Sequence, residues 1–305
     1  YIYGSRKAWR MPSLSKEHYN LYQLVLWSHT KRIRTLDDLA FVLHIELDAL
    51  YTYLPGTFSK EKEKRDISDQ ETEFITAKLA ADEKFKEFHL SALEKERKTV
   101  QRYLAQEIDV SDERFAFVEV SGGGLTQGCL RELLKDRYEK PIRTFFFKID
   151  RVGLIEKSIT DVFMPGFLEN NLAIEMVCRA PHGQTKGYSK HNGYFVPNLE
   201  ETEKEALTAH GFYSYEKGIL DFSKQMLVKK GRYGEKRVMR QVLLYLELIA
   251  QKPPADVREY FASMPNSESG RDGERIEYAP RLTEEDMKEI FLKRLYEPLE
   301  YYYKG

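Results

Sequence analysis

Cysteine is almost missing from this chain: Cys129 and Cys178 are the only two, far apart and without metal-ligand spacing. That leaves neither a disulfide framework nor a zinc motif to organise the fold, so two free, mostly buried thiols in a reducing cytoplasm are expected. Long apolar runs are missing too. No stretch reaches the length of a membrane span, and no secretory signal pattern opens the chain. Charge of one sign is also lacking, with Lys+Arg 48 against Asp+Glu 49. Nucleic-acid binding usually needs a strongly basic domain, and this balance gives it no support. The first residues are Tyr1-Ile-Tyr3 rather than a Met, which suggests a piece of something longer.

Aromatic residues are abundant, with 20 Tyr and 17 Phe in 305 residues. Such side chains sit half-buried with a wet hydroxyl, and sugar-binding surfaces also use them. The segment carrying most information is Phe115-Ala-Phe-Val-Glu-Val-Ser-Gly-Gly-Gly-Leu-Thr-Gln-Gly128. Its first half alternates β-formers and predicts a largely buried strand over 115–120. Gly122, Gly123 and Gly124 allow positive φ and a side-chain-free approach to a ligand. Leu125, Cys129, Leu130, Leu133 and Leu134 then recur at helical spacing, so a helix begins near Thr126. Strand, glycine turn and helix N-terminus aim free N–H groups and a positive dipole end at one spot, which suits a phosphate. The segment is neither GxxxxGK[ST] nor GxGxxG, and a turn that merely lets helix and strand pack closely stays open beside the phosphate reading.

Along the chain, a short strand is expected at 1–5, followed by Pro12. Ser15 is expected to cap a helix carrying Tyr19 to Trp27, and Thr35 another with Leu36, Leu39, Ala40 and Leu43 on its apolar face. Lys60 to Arg65 form a mixed charge cluster, read as a solvated loop or helix start. Ser68 to Glu107 read as nearly all helix, one long hairpin inserted before the strand at 115–120 and spanning about 60–110. A second strand at 142–149 makes 115–149 a parallel βαβ unit with right-handed crossover. Further expectations are a helix from Gly166 to Cys178, a turn-rich loop over 179–188 and a short strand at 194–196. A C-terminal helical part over about 200–305 is interrupted by a loop at 265–280. The fold class is therefore α/β: one domain over 1–305, with a small, mostly parallel sheet and many flanking helices.

Three clusters carry candidate chemistry: Tyr3-Gly-Ser-Arg6 with Pro12; Glu119-Val-Ser-Gly-Gly-Gly-Leu-Thr-Gln127; and Ile174-Glu175 with Ala180-Pro-His-Gly183 and Gly187-Tyr188, followed by Gly218-Ile-Leu-Asp-Phe222. In order and spacing they resemble the C-terminal region of bacterial surface-polysaccharide (capsule) biosynthesis proteins. In that family a haloacid-dehalogenase-like phosphatase region precedes a glycosyltransferase region similar to phosphoribosyltransferases. Glu119 stands where the family's turn has an aspartate, and Ser121-Gly122 where it has a tryptophan. The paired aspartates of the phosphatase are missing, so the resemblance does not imply phosphatase activity here.

The resemblance implies a phosphoribosyltransferase-like or Rossmann-like core and a sugar or sugar-phosphate transferase module, cytoplasmic and peripheral at the inner face of the membrane. Glu119 and His182 would be catalytic. Arg6, Ser121, Gly122, Gly123, Gly124, Thr126 and Gln127 would bind a phosphosugar donor. A glycan would be the acceptor, and Mg2+ would accompany the donor pyrophosphate without a dedicated metal site in the protein. Backbone N–H groups and the Thr126 hydroxyl suit phosphate, Glu119 suits a sugar hydroxyl, and His182 titrates in the right range for a general base. Each has a plainer reading: Glu119 an exposed strand-end carboxylate, His182 a loop histidine bonding backbone, Arg6 a surface ion pair, Glu175 a structural partner of an arginine. Lys229-Lys-Gly-Arg232 reads as a solvated face, with acidic glycan or membrane contact as the functional alternative. Two other functions stay open: a non-catalytic acceptor-binding or scaffolding domain, and a nucleotide-binding regulator.

Overall fold

The computed structural model describes residues 2–21, 33–54, 56, 58, 66–111, 115–120, 124–148, 160–163, 178–229, 237, 240–242, 244–245, 254–266, 276–277, 284–285 and 288. The helix expected to start at Ser15 is not found over 16–20, where the Ser15 hydroxyl accepts from the His18 amide in a turn; its continuation at 22–27, the helix at 166–177 with Glu175 and the charge cluster at 60–65 lie outside the described residues. The chain divides into two compact units, Tyr1–Pro165 with Thr185–Leu199, and Gly166–Gln184 with Glu200–Gly305. The helical insertion and the βαβ segment fall in the first unit; the C-terminal helical part falls in the second.

In the first unit, local capping sets the helices. Ser5 caps α1 (Arg6–Arg10), its hydroxyl accepting from the Ala8 amide. Thr35 and Asp38 form a capping box at the head of α2 (Leu36–Leu43), whose Leu36, Leu39, Ala40 and Leu43 are all buried. The short α3 (Leu47–Tyr53) follows. Ser68 and Glu71 repeat the capping box at α4 (Asp69–Ala81). Asp82 then ends α4 and starts α5 (Glu83–Glu107), accepting from the Lys84 and Phe85 amides. One carboxylate thus makes the turn of the expected helical hairpin.

The 25 residues of α5 span about 37 Å at 1.5 Å per residue, long enough to serve two cores. Near its N-terminus, Phe85 and Leu93 pack with α2, α3 and α4. Near its C-terminus, Val100, Tyr103 and Leu104 pack with Ala8 and Trp9 of α1 and with Cys129, Leu130, Leu133 and Leu134. Those last four belong to α6 (Leu125–Leu134).

Around α6 the expected βαβ unit is present. β1 (Phe117–Glu119) pairs in parallel with β2 (Thr144–Phe146), and β2 in parallel with β3 (Thr160–Val162). The burial expected of residues 115–120 is not found. β1 is an edge in the order β1-β2-β3, and Val118 is 82% exposed. Apolar composition cannot distinguish a central strand from an edge strand covered on one face.

Two expectations about strands are corrected in this unit. Residues 2–5 form no strand. Their backbone is satisfied by side chains instead: the Tyr3 amide donates to the Tyr103 hydroxyl at 2.9 Å, and the Tyr3 carbonyl accepts from the Tyr188 hydroxyl at 2.6 Å. Residues 185–188 are not loop but the start of β4 (Thr185–His191), antiparallel to β5 (Tyr194–Leu199). The turn is Asn192-Gly193, with φ of 48° and 90°. A two-residue hairpin turn with both central φ positive demands such a pair.

In the second unit, α7 (Glu201–Ala209) and α8 (Phe212–Lys229) are separated at Gly211, whose φ is 88°. Leu207, Phe212 and Met264 make a small core with Tyr215, and with Tyr260 and Phe261 of α9 (Ala255–Ala262). The loop expected over 265–280 contains a short antiparallel pair, β6 (Pro265–Asn266) with β7 (Ile276–Glu277). Among the described residues no helix is long and apolar enough to cross a membrane.

Two groups in the first unit yield predictions. His89 is fully buried, one ring nitrogen on the Leu43 carbonyl at 2.7 Å and the other on the Tyr19 hydroxyl at 2.8 Å. The carbonyl can only accept, so Nε2 donates and Nδ1 accepts from Tyr19: the ring is neutral. Burial above all pulls its pKa from 6.5 to about 4. The folded state therefore binds this proton less readily than the unfolded chain, and stability present above pH 6.5 declines as pH falls towards 4. The loss reaches about 3 kcal/mol. Urea titrations from pH 7 to 4 should show the stability gap between wild type and His89→Gln narrowing towards acid; a constant gap would refute this.

Tyr188 accepts from Trp9 Nε1 at 2.6 Å while donating to the Tyr3 carbonyl. Tyr188→Phe removes the acceptor of the buried Trp9 N–H and a donor to the part-buried Tyr3 carbonyl, which should cost about 1–3 kcal/mol. A shift of the urea midpoint worth under about 0.5 kcal/mol would show that the hydroxyl is dispensable.

Candidate functional site

The carboxyl end of β1 leads towards the amino end of α6, and the candidate residues lie along that path. Gly124 is the N-cap of α6 with φ 84°, the left-handed conformation expected of a glycine in this turn. Ser121, Gly122 and Gly123 lie outside the described residues. Among the described residues no side chain caps the helix, and its first turn carries no acidic residue. The leading N–H groups of α6 therefore lack the capper that Ser5, Thr35, Ser68 and Asp82 supply to other helices of this unit.

Glu119 ends β1 close to that first turn. Its carboxylate accepts from the Gln127 side-chain amide and hydrogen-bonds the Thr126 side chain. Burial raises its pKa, and these two hydrogen bonds only partly oppose the rise. Glu119 is thus neither an exposed strand-end carboxylate nor an ordinary one. Gln127 shows what is missing around it. With its NH₂ on the carboxylate, its Oε1 is left buried without a hydrogen-bond partner. The opposite amide orientation would set oxygen against oxygen, so the assignment is forced. A buried carbonyl in this condition costs about 1–3 kcal/mol and calls for a donor.

Sequence reasoning missed two cations near this path. Arg10 is buried in α1, and burial lowers its pKa to about 10, with the Cys129 thiol opposing and Arg6 adding to the drop. Lys148 is 2% exposed just beyond β2, its amide donating to the Val120 carbonyl at 3.0 Å. It therefore stands beside the carboxyl end of β1, where open parallel sheets bind their ligands. The only signal in the sequence is a lone lysine closing the apolar run Phe145-Phe-Phe147.

Arg6 occupies the first position of α1 and is exposed. His182 belongs to the second unit. Its Nδ1 donates to the adjacent Gly183 carbonyl at 2.7 Å, the backbone bond of the plainer reading. The conformation there is fixed by sterics, since a Cβ on Gly183 would come within 2.0 Å of the Glu200 carbonyl oxygen. Among the described residues, no group of three or more His, Cys, Asp or Glu could hold a metal ion.

No protein-family model matches this chain, and a search of curated proteins finds no match either.

Because its folded pKa is raised, Glu119 favours folding below its ordinary titration range and opposes it as pH rises through the folded value. Glu119→Gln should therefore stabilise the protein more at pH 8 than at pH 4 in paired thermal melts. An equal effect at both pH values would mean the carboxyl is not desolvated.

Proposed function

We propose that this chain is a sugar or sugar-phosphate transferase module of bacterial surface-polysaccharide synthesis, taking a phosphorylated donor at the β1–α6 turn. One observation carries the reading: an orphaned Gln127 carbonyl and a desolvated Glu119 carboxyl meet at a helix N-terminus without a capping side chain. The helix end suits phosphate oxygens. Gln127 Oε1 suits a sugar hydroxyl as donor, and Glu119 suits an adjacent hydroxyl. A ligand with both groups satisfies all three, whereas a simple anion leaves Gln127 unpaired.

Catalysis would rest on positioning and charge neutralisation. Glu119, its pKa raised by burial, would orient or deprotonate the attacking hydroxyl. Lys148 and Arg6 are the cations proposed for the donor phosphates. Mg2+ would be held chiefly by the donor's own phosphates with at most one protein carboxylate, as is usual for this ion. Cytoplasmic location follows from the same reading. The rival, a non-catalytic acceptor-binding or scaffolding domain, is favoured by a different observation: Thr126 and Gln127 already engage the Glu119 carboxylate internally.

Calorimetric titration with sugar phosphates and nucleotide sugars, followed by a transfer assay with an oligosaccharide acceptor, separates the two. The transferase reading expects donor binding that weakens about tenfold in Gln127→Ala, the loss of one hydrogen bond. It also expects transfer falling at least about a hundredfold in Glu119→Gln with binding kept. Acceptor binding without any donor binding would select the scaffold instead.

A further inference from the structure

The three-stranded sheet of the first unit has a face that the donor turn does not use. Parallel sheets occur almost only with both faces covered. Here one face is covered: Thr144 and Phe146 are buried, and Phe117 packs against the core that α6 helps to build. The opposite face stays open. Val118 of β1 is 82% exposed, Phe145 of β2 41%, and Phe163, just past β3, 43%. Val118 pairs in register with Phe145, and Phe145 with Asp161. Phe163 stacks on Phe147, ring centroids 5.6 Å apart and planes within 28°. Large apolar side chains gathered in the open like this mark a binding surface.

Size, chemistry and position identify the occupant. Strands about 4.8 Å apart make the face roughly 10 Å wide, and Arg143 to Phe147 run about 13 Å along it, the footprint of a few sugar rings. A stable protein interface buries far more, about 800 Å² per partner. Arg143 lies over the Phe145 ring at 5.4 Å and also holds Asp161, with Nε at 2.9 Å and Nη2 at 2.7 Å from the same Oδ2. Both side chains are exposed, and Asp161 Oδ1 and Arg143 Nη1 take no part in the pair, which sets an acceptor and a donor beside the rings. A pyranose is divided in the same way, with C–H faces that lie on aromatic rings and hydroxyls at the edge that donate and accept. Finally, the Phe147 amide donates to the Glu119 carbonyl and the Phe163 amide to the Phe146 carbonyl, each at 2.9 Å. The stacked pair therefore stands at the carboxyl ends of the strands, where open parallel sheets bind ligands, with Phe147 on the strand next to Glu119.

We infer that this face is the acceptor subsite of the proposed transferase: an oligosaccharide lies across Phe145, Phe147 and Phe163 with its hydroxyls on Arg143 and Asp161. The role of acceptor rests on the transferase reading, whereas affinity for a glycan does not depend on what the β1–α6 turn binds. Stacking reads the apolar face that pyranoses share, so recognition on these rings is weak and tolerant of the particular sugar.

Saturation-transfer NMR and calorimetry on the full chain test it, with maltohexaose, cellohexaose, chitohexaose and a sialic acid hexamer as probes. At least one probe should bind. Phe145→Ala and Phe163→Ala should each weaken that binding about fivefold, the worth of one aromatic contact. Arg143→Ala should weaken it by a similar factor, about fivefold, for the loss of a hydrogen bond. All three side chains are exposed, and unchanged urea midpoints would show that the variants fold. Affinity for a sugar phosphate or nucleotide sugar should be the same in every variant, and in a transfer assay the acceptor KM should rise while the donor KM stays. Binding of none of the four probes, or full binding by both phenylalanine variants, would overturn the subsite; donor binding kept at the turn would then leave the transferase reading standing. Probe binding that the variants lose, without any donor binding, would keep the glycan platform and defeat the transferase. Self-association that Val118→Asp abolishes would assign the face to a second copy of the chain and overturn the subsite.

Discussion

The packing that α1 brings to α6 in the first unit is anchored by one stacked tyrosine pair. Tyr103 of α5 and Tyr188 of β4 lie face to face, centroids 4.2 Å apart and planes within 21°. Their hydroxyls take both polar groups of Tyr3, and Tyr188 also receives the Trp9 indole N–H. Three segments far apart in sequence are joined by hydroxyls that the rings hold out of water, where such bonds are strongest. Through Trp9 the pair fixes α1. Ser5 reinforces the same junction, donating to the Thr185 carbonyl at 2.5 Å while capping α1. Since α1 packs against β4 and α6, the orientation of the uncapped helix end follows from this junction.

That dependence changes the meaning of several motif residues. Gly4 lies under the Trp9 ring, where an added Cβ would come within 2.1 Å of the indole. Gly183 is confined by the Glu200 carbonyl, and the Glu200 amide donates to the Gln184 carbonyl at 3.0 Å. Tyr3, Ser5 and Tyr188 all serve the same junction. These positions carry the resemblance in the sequence, yet the fold alone requires them. Glu119 and Gln127 differ, because packing leaves them with a desolvated carboxyl and an unpaired carbonyl. Chemistry left unsatisfied by its own fold is the better pointer to a ligand.

Legibility in the sequence followed the range of the interaction. Helix starts at Thr35 and Ser68 are decided within four residues, so their capping boxes announce them. The parallel βαβ unit was legible because a strand, a glycine and a helix fit into one short stretch. The Asn192-Gly193 hairpin is equally local, its turn set by two adjacent residues with positive φ. Tertiary facts were not legible. Tyr3 reads as a strand residue until two distant tyrosines claim its backbone, and Lys148 reads as a surface lysine until the sheet encloses it. The exposure of Val118 depends on which face α6 covers, which no periodicity records.

Glu119 shows why the candidate site resists reading as mere packing. The positive end of a helix and two side-chain donors should hold a carboxylate ionised and its pKa low. The pKa nevertheless rises, so the desolvation of this carboxyl outweighs everything its neighbours supply. A turn selected only for stability would place an apolar residue there, or a serine that caps α6 as Ser68 caps α4. The protein instead keeps a buried acid, an unanswered amide oxygen and, among the described residues, an uncapped helix end within a few residues of one another. Each of the three is unfavourable alone. The proposed phosphorylated sugar would supply a hydroxyl donor for the oxygen and the acid and an anion for the helix, and so relieve the three together.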